Sequence, residues 1–194
     1  THGIGFLLSL VGFALLLAFH KYDTTRGLVA VILYGVSLSL LYFVSSIYHY
    51  EKSDKRKQLY RKLDHISIYV LIAATYTPYT LIFWSHSKGV LLFGIVWSIA
   101  LLGTFLKTFF TGRFEIISLL LYLVMGWLIV FDFTALALAV SPRAISLLIA
   151  GGGFYTAGIL FYVWNSLKYN HVLWHLFVLA GSICHFFSIY LELI

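Results

Sequence analysis

The sequence predicts an all-α integral membrane protein, a seven-transmembrane helix bundle built as a single domain over residues 1–194, on three observations. Of its residues 61% are hydrophobic and 10% charged, with a mean hydropathy of +0.96. A water-soluble domain carries about 25% charged residues, so this chain is built for lipid. Seven apolar runs, each near the roughly 20 residues that cross a hydrocarbon core, are separated by polar punctuation. None of them alternates apolar and polar residues with the period of two that a transmembrane barrel requires.

The first run extends from His2 to Phe19 and stops at His20-Lys21-Tyr22-Asp23. Its end lacks the small-residue cleavage pattern of a signal peptide, so it reads as a span. Thr1 stands directly before it without an initiator Met, which reads as a missing native N-terminal segment. The second run covers Gly27 to Tyr48. The most hydrophilic stretch follows, Glu51 to Lys62, with six Lys or Arg among its twelve residues. The third run, Leu63 to Phe83, contains Pro78, whose kink is tolerated where neighbouring groups satisfy the freed carbonyl. After the turn-like Ser85-His86-Ser87-Lys88, the fourth covers Gly89 to Phe109. The fifth is expected to span from Phe114 to Phe131, with Asp132 as a loop residue and Phe133 to Val140 as an interfacial segment. Ser141-Pro142 supplies an N-cap and N1 pair for the sixth run, Ala144 to Trp164. Its Gly151-Gly152-Gly153 and Gly158 follow no strand and read as close helix packing. Asn170 is expected to cap the seventh run, which ends at Ile194.

A net charge of +6 and a pI near 9.4 would suggest nucleic acid in a soluble protein. Here the basic residues are topology determinants and no nucleic-acid partner is expected. With seven spans the N-terminus shares a side with the second, fourth and sixth loops. Those loops carry nine Lys or Arg: Lys52, Lys55, Arg56, Lys57, Arg61, Lys62, Lys107, Arg113 and Lys168. The other loops carry four, Lys21, Arg26, Lys88 and Arg143. Positive residues collect in the cytoplasm, so the N-terminus is expected inside and the C-terminus outside. Cys184 is the only cysteine, which excludes an internal disulfide.

The same topology gathers a chemical constellation at one end. His49 closes the second run, Asp64 opens the third, and His171 and His175 open the seventh. Ser45 and His49 are four residues apart and share a helix face, with Tyr42 a turn earlier. His171 and His175 have the same spacing, about 6 Å along the axis, which lets two imidazoles hold one cation. Neutral imidazole is a good Zn²⁺ ligand, and three histidines with a water form the open geometry of catalytic zinc. Asp64 can hydrogen-bond that water or act as its general base, and Ser45 can donate to a substrate oxygen. His65 points about 100° away from Asp64 on the helix and His185 lies about 15 Å deeper than His175, so neither joins the ion. His2, His20 and His86 read as interfacial, and Glu115 as a charge at a helix N-terminus. The abundant Tyr and Trp fit an interfacial belt.

These residues give the chain a resemblance to the bacterial hemolysin III proteins, of the superfamily that includes the progestin and adiponectin receptors. The resemblance rests on Ser45-x-x-x-His49, on Lys62-Leu63-Asp64-His65 through Thr75-Tyr76-Thr77-Pro78, and on His171-x-x-x-His175 with His185. His2-Gly3-Ile4-Gly5 and Ala150-Gly151-Gly152 also fit, and the match covers the whole chain. The family's acidic segment before the first helix is missing. The resemblance implies a seven-helix bundle with a cytoplasmic N-terminus in a bacterial plasma membrane. It implies zinc held by His49, His171 and His175, with Asp64 on the zinc-bound water. It also points to membrane-lipid homeostasis, since relatives in the wider group hydrolyse lipid amides.

Three functions follow. The first is an intramembrane zinc hydrolase cutting a lipid amide or ester within the bundle, with Asp64 and Ser45 catalytic. The second is a receptor or membrane-state sensor in which zinc staples the second, third and seventh helices. The third is a cytolytic pore, against which stand seven consecutive apolar helices suited to the producer's own membrane and the lack of an amphipathic insertion segment. The expected partners are membrane lipids.

Overall fold

The computed structural model describes residues 2–84 and 88–194. The turn predicted at Ser85-His86-Ser87, and with it the interfacial reading of His86, lies outside the described residues. The helices are α1 (His2–Phe19), α2 (Thr25–Tyr50), α3 (Asp54–Pro78), α4 (Gly89–Phe110), α5 (Glu115–Trp127), α6 (Phe133–Ala139), α7 (Pro142–Val163) and α8 (Asn170–Leu193). A π-helical turn, Tyr79–Phe83, prolongs α3, and a 3-10 turn, Leu128–Asp132, joins α5 to α6. This gives seven helical runs long and apolar enough to cross a membrane. No strand occurs among the described residues.

Local chemistry explains where several of these begin. Thr24 precedes α2, and its hydroxyl accepts from the Gly27 N–H at 3.1 Å. Ser141 does the same for the Ala144 N–H at 3.3 Å, with Pro142 as the first residue of α7, as the pair predicts. Asn170, expected to cap the last helix, is instead its first helical residue. Tyr169 before it takes a left-handed φ of 64° and makes no side-chain cap.

Two further boundaries depart from expectation. Helix α3 starts at Asp54 where apolarity suggests Leu63, because Lys, Arg, Gln and Leu sustain a helix as well in water as in lipid. Apolarity marks where the membrane begins, and the helix begins earlier. Asp64 therefore stands inside α3 rather than at its opening. The fifth run is likewise a single helical stretch from Glu115 to Ala139, so Phe133–Ala139 continues it beyond the expected end at Phe131. Asp132 is part of its 3-10 turn, where it accepts from the Trp84 indole N–H at 3.1 Å. Around Pro78, the hydroxyls of Thr75, Thr77 and Thr80 donate back to the carbonyls of Leu71, Ala73 and Tyr76.

Packing is uneven. Helix α7 lies along α8, α2 is flanked by α1 and α3, α3 packs on α4, and α1 reaches α8. By contrast α5 touches α3, α4 and α7 only lightly. Two glycines make the close approaches possible. A Cβ on Gly5 would meet the Tyr42 ring at 2.6 Å, and one on Gly151 would overlap His185. Gly153, in contrast, faces open space, so only part of the glycine run serves packing. Between the tight half and α5 remains a cavity of about 180 Å³, bordered by α2, α3, α5, α7 and α8.

Candidate metal centre

Helix α2 ends with Ser45 and His49 one turn apart, and α8 begins with His171 and His175 at the same spacing. The alternation of spans brings these ends together. The His49 Nε2 stands 3.1 Å from the His175 Nε2 and 3.4 Å from the His171 Nε2. One ligand atom from each of the three falls within 4.8 Å of the others. A single Nε2 carries one hydrogen or one lone pair, so His49 cannot make both contacts as full hydrogen bonds. Three lone pairs directed at a shared centre is the arrangement that holds a metal ion. Two donors about 2.0–2.1 Å from a tetrahedral ion lie roughly 3.3 Å apart, close to the separations of His49 from His175 and from His171.

The cluster straddles a boundary. His49 and His171 are exposed, whereas His175 is 8% exposed and lines the cavity. Ser45 (2% exposed) and Asp64 line that cavity as well. The carboxylate does not belong to the three-histidine group that could hold an ion. The rest of the lining is mainly apolar and aromatic, with Leu71, Ile72, Leu123 and Val130 among it. The arrangement thus sets a nitrogen cluster, a carboxyl and a hydroxyl at the mouth of a greasy chamber.

Other predicted placements can be stated one by one. His185 stays apart from the cluster, its Nε2–H donating to the Leu148 carbonyl at 3.2 Å. His65 also stays apart, with its Nδ1 3.6 Å from Glu115. Glu115 is indeed in the first turn of α5, but it is no mere dipole partner. It accepts from the Lys107 ammonium at 2.6 Å and pairs with Arg61 at 3.4 Å. Lys107, read from sequence as a loop charge, is 1% exposed. His2 corrects another expectation: it is buried, and its ring centroid is 3.8 Å from that of His175. The signal for it was present, since the alternation that gathers His49, Asp64 and His171 at one end places the first turn of α1 there too.

Comparison with known proteins gives one consistent result. The profile of the family described as Haemolysin-III related matches residues 1–186. The chain is 42% identical to Hemolysin-3 of Bacillus cereus over 190 residues, covering 97% of this chain and 87% of that protein. It is also 42% identical to a Hemolysin-3 homolog of Bacillus subtilis, covering 97% and 89%. A more distant similarity, 26% over 202 residues, links it to the human monocyte to macrophage differentiation factor, covering 98% and 80%. No solved structure matches it.

Proposed function

The chain belongs to the haemolysin-III related family, as a multi-pass bacterial membrane protein, and from that premise we propose that it is a zinc-dependent hydrolase of lipid amide or ester bonds serving membrane-lipid homeostasis. The observation that carries this reading is the convergence of three imidazole Nε2 atoms at the mouth of a cavity that also holds Asp64 and Ser45. An all-imidazole donor set suits Zn²⁺, and three protein ligands leave the open position that distinguishes catalytic from structural zinc. When bound, the ion supplies Lewis-acid chemistry and acidifies water towards a pKa of about 7.

The remaining work falls to the chain's own side chains. His49, His171 and His175 hold the ion. Asp64, outside the donor set yet lining the same cavity, is the base that accepts the proton of the attacking water. Ser45 donates to the carbonyl oxygen of the scissile bond, and the apolar lining receives acyl chains. The exposed pair of histidines admits water from the polar side while the cavity admits lipid. We place this end of the bundle in the cytoplasm, with the C-terminus outside. With Lys107 set aside as buried against Glu115, eight basic loop residues still face four.

One observation favours a second reading, a membrane-state sensor with structural zinc. The three histidines come from α2 and α8 alone, and a further bond ties the same helices, Tyr42 donating to Ser182 at 2.8 Å. An ion there would staple α2 to α8 without α3. Metal analysis of the purified chain, then lipid-product mass spectrometry with and without chelator, tests both. We expect one zinc per chain, lost on His171→Ala or His175→Ala, and chelator-sensitive lipid cleavage. Zinc retained by both variants would overturn the ligand set; zinc without any cleavage would favour the staple.

A further inference from the structure

The donor set leaves a question one bond further out. A histidine that binds a metal through Nε2 carries its hydrogen on Nδ1, and such N–H groups are almost always donated to a carboxylate, carbonyl or water. His175 presents its Nε2 to the cluster, yet its Nδ1 is buried and has no partner. The His2 Nδ1 is buried without a partner too. A buried polar group left unsatisfied is costly, so two such atoms on rings in contact call for a joint account. The rings meet edge to face, with centroids 3.8 Å apart and planes at 73°. Both residues line the cavity.

The chemistry of the two nitrogens is complementary. The Nδ1 of a metal-holding His175 is a donor, and the Nδ1 of a neutral His2 protonated on Nε2 is an acceptor. Helix α1 is also built to deliver this residue. Gly5, one turn on, lets α1 settle against Tyr42, and the His2 ring lies 5.2 Å from that same tyrosine. His2 does not enter the three-histidine set, so a direct ligand role is not what the geometry offers.

We infer that His2 is a positioning residue of the metal centre: when the ion is held, its Nδ1 becomes the acceptor for the Nδ1–H of the His175 ring that it already touches, and fixes that imidazole towards the ion. This rests on the zinc reading above. Seating of α1 and metal affinity are then coupled, because the first helix supplies the acceptor that orients a ligand on the last.

The test compares His2→Phe, His2→Gln and His2→Ala with the unaltered chain, by competition of zinc against a chromophoric chelator and by the absorption spectrum of the cobalt-substituted protein. His2→Phe keeps a packed ring and removes the acceptor; His2→Gln restores one. Outer-shell partners are typically worth 10–100-fold in metal affinity. We expect His2→Phe and His2→Ala to weaken zinc by about that factor at unchanged stoichiometry and to shift the cobalt bands. His2→Gln should recover most of the loss. His20→Ala, at the far end of α1, controls for removing any histidine. Retained helicity and monodisperse elution confirm that each variant folds. Wild-type affinity and spectrum in His2→Phe would overturn the inference while leaving the zinc site standing. Loss of stoichiometry, as for His175→Ala, would make His2 a ligand and overturn it also. An unaltered chain that takes up no zinc would overturn both readings together.

Discussion

The Glu115 cluster and the His175 cluster lie at the same end of the bundle and are satisfied in opposite ways. Around Glu115 a single carboxylate collects the Lys107 ammonium at 2.6 Å, the Arg61 guanidinium at 3.4 Å and the Gly112 N–H at 3.2 Å. Opposite charges meet and close on themselves, and the result ties α3, α4 and the start of α5 together. Around His175 the groups are neutral rings of one kind, with nitrogens 3.1 and 3.4 Å apart and two further nitrogens buried without partners. One His49 nitrogen cannot bond both neighbouring nitrogens at once, so this set is arranged for a third party. The first cluster is a clamp and the second a socket. Carboxylates sharpen the difference, because three of them at this end of the chain sit in three environments. Asp64 lines the cavity and takes part in none of the ion pairs among the described residues. Glu115 is locked into its clamp, and Glu51 lies in the α2–α3 connection beside Arg56, whose side chain is 68% exposed.

The largest effect is expected at Asp64, the carboxylate free to move a proton. Asp64→Asn keeps the shape and a hydrogen-bonding oxygen but removes the base. Zinc should stay bound, since three histidines remain, while lipid hydrolysis falls by about 10²–10⁴-fold. Zinc titration alongside product mass spectrometry separates the outcomes. A large loss of zinc affinity would make Asp64 a ligand and end its role as base. Unchanged zinc and unchanged turnover would move the chemistry elsewhere.

Glu115→Ala is expected to act on stability alone. It strands an ammonium that is 1% exposed, and removing one partner of a buried pair costs about 3–5 kcal/mol. Partial exposure of Glu115 at 31% places the loss towards the lower figure. Zinc affinity should not change, because the clamp shares no residue with the socket. Lys107→Met, which fills the same volume without charge, should be far milder, as replacing buried charge with apolar packing often is. Thermal melting of both variants with zinc titration is the check. A Glu115→Ala chain of normal stability would show the clamp to be decorative, and a lost zinc site would show the clusters to be coupled.

The contrast also explains what could be read from the sequence. All seven spans were legible, because apolar length is set by the membrane and needs no tertiary knowledge. So was the meeting of His49, His171 and His175, because i,i+4 spacing and the alternation of spans fix both face and depth. Three things were hidden. The true start of α3 at Asp54 was masked because polar helix formers look like loop to a hydropathy reading. The pairing of Lys107 with Glu115 was hidden because a charge near a run's end looks solvated until the neighbouring helix is placed. His2 was undervalued because burial at a helix start depends on how closely α1 can seat, and that turns on Gly5 against Tyr42.

The smallest effect is expected at Glu51, where similar bonding involves a cation, Arg56, whose side chain is 68% exposed. Its carboxylate accepts from the Ser53 and Lys52 N–H groups, each at 2.9 Å, and pairs with Arg56 at 3.2 Å. The Ser53 N–H, helped by Arg56 and the Lys52 N–H, holds this carboxyl below its usual 4.5. A depressed folded value means that the ionised form favours the folded chain. That contribution is fully present above 4.5 and disappears as the pH falls through the lower folded value. Water and salt screen a pair whose guanidinium is exposed, so Glu51→Gln should lower the melting temperature of the metal-free chain only slightly at neutral pH. The gap between variant and parent should then close in acid. Melting curves at neutral pH and below the folded value decide the point in metal-free chains, where histidine loading cannot intrude. A gap that persists in acid would trace the effect to amide geometry and not to charge. A loss as large as that of Glu115→Ala would mean that the pair with Arg56 is as closed to water as the pair with Lys107, and the distinction between an exposed and a buried cation at this end would fail.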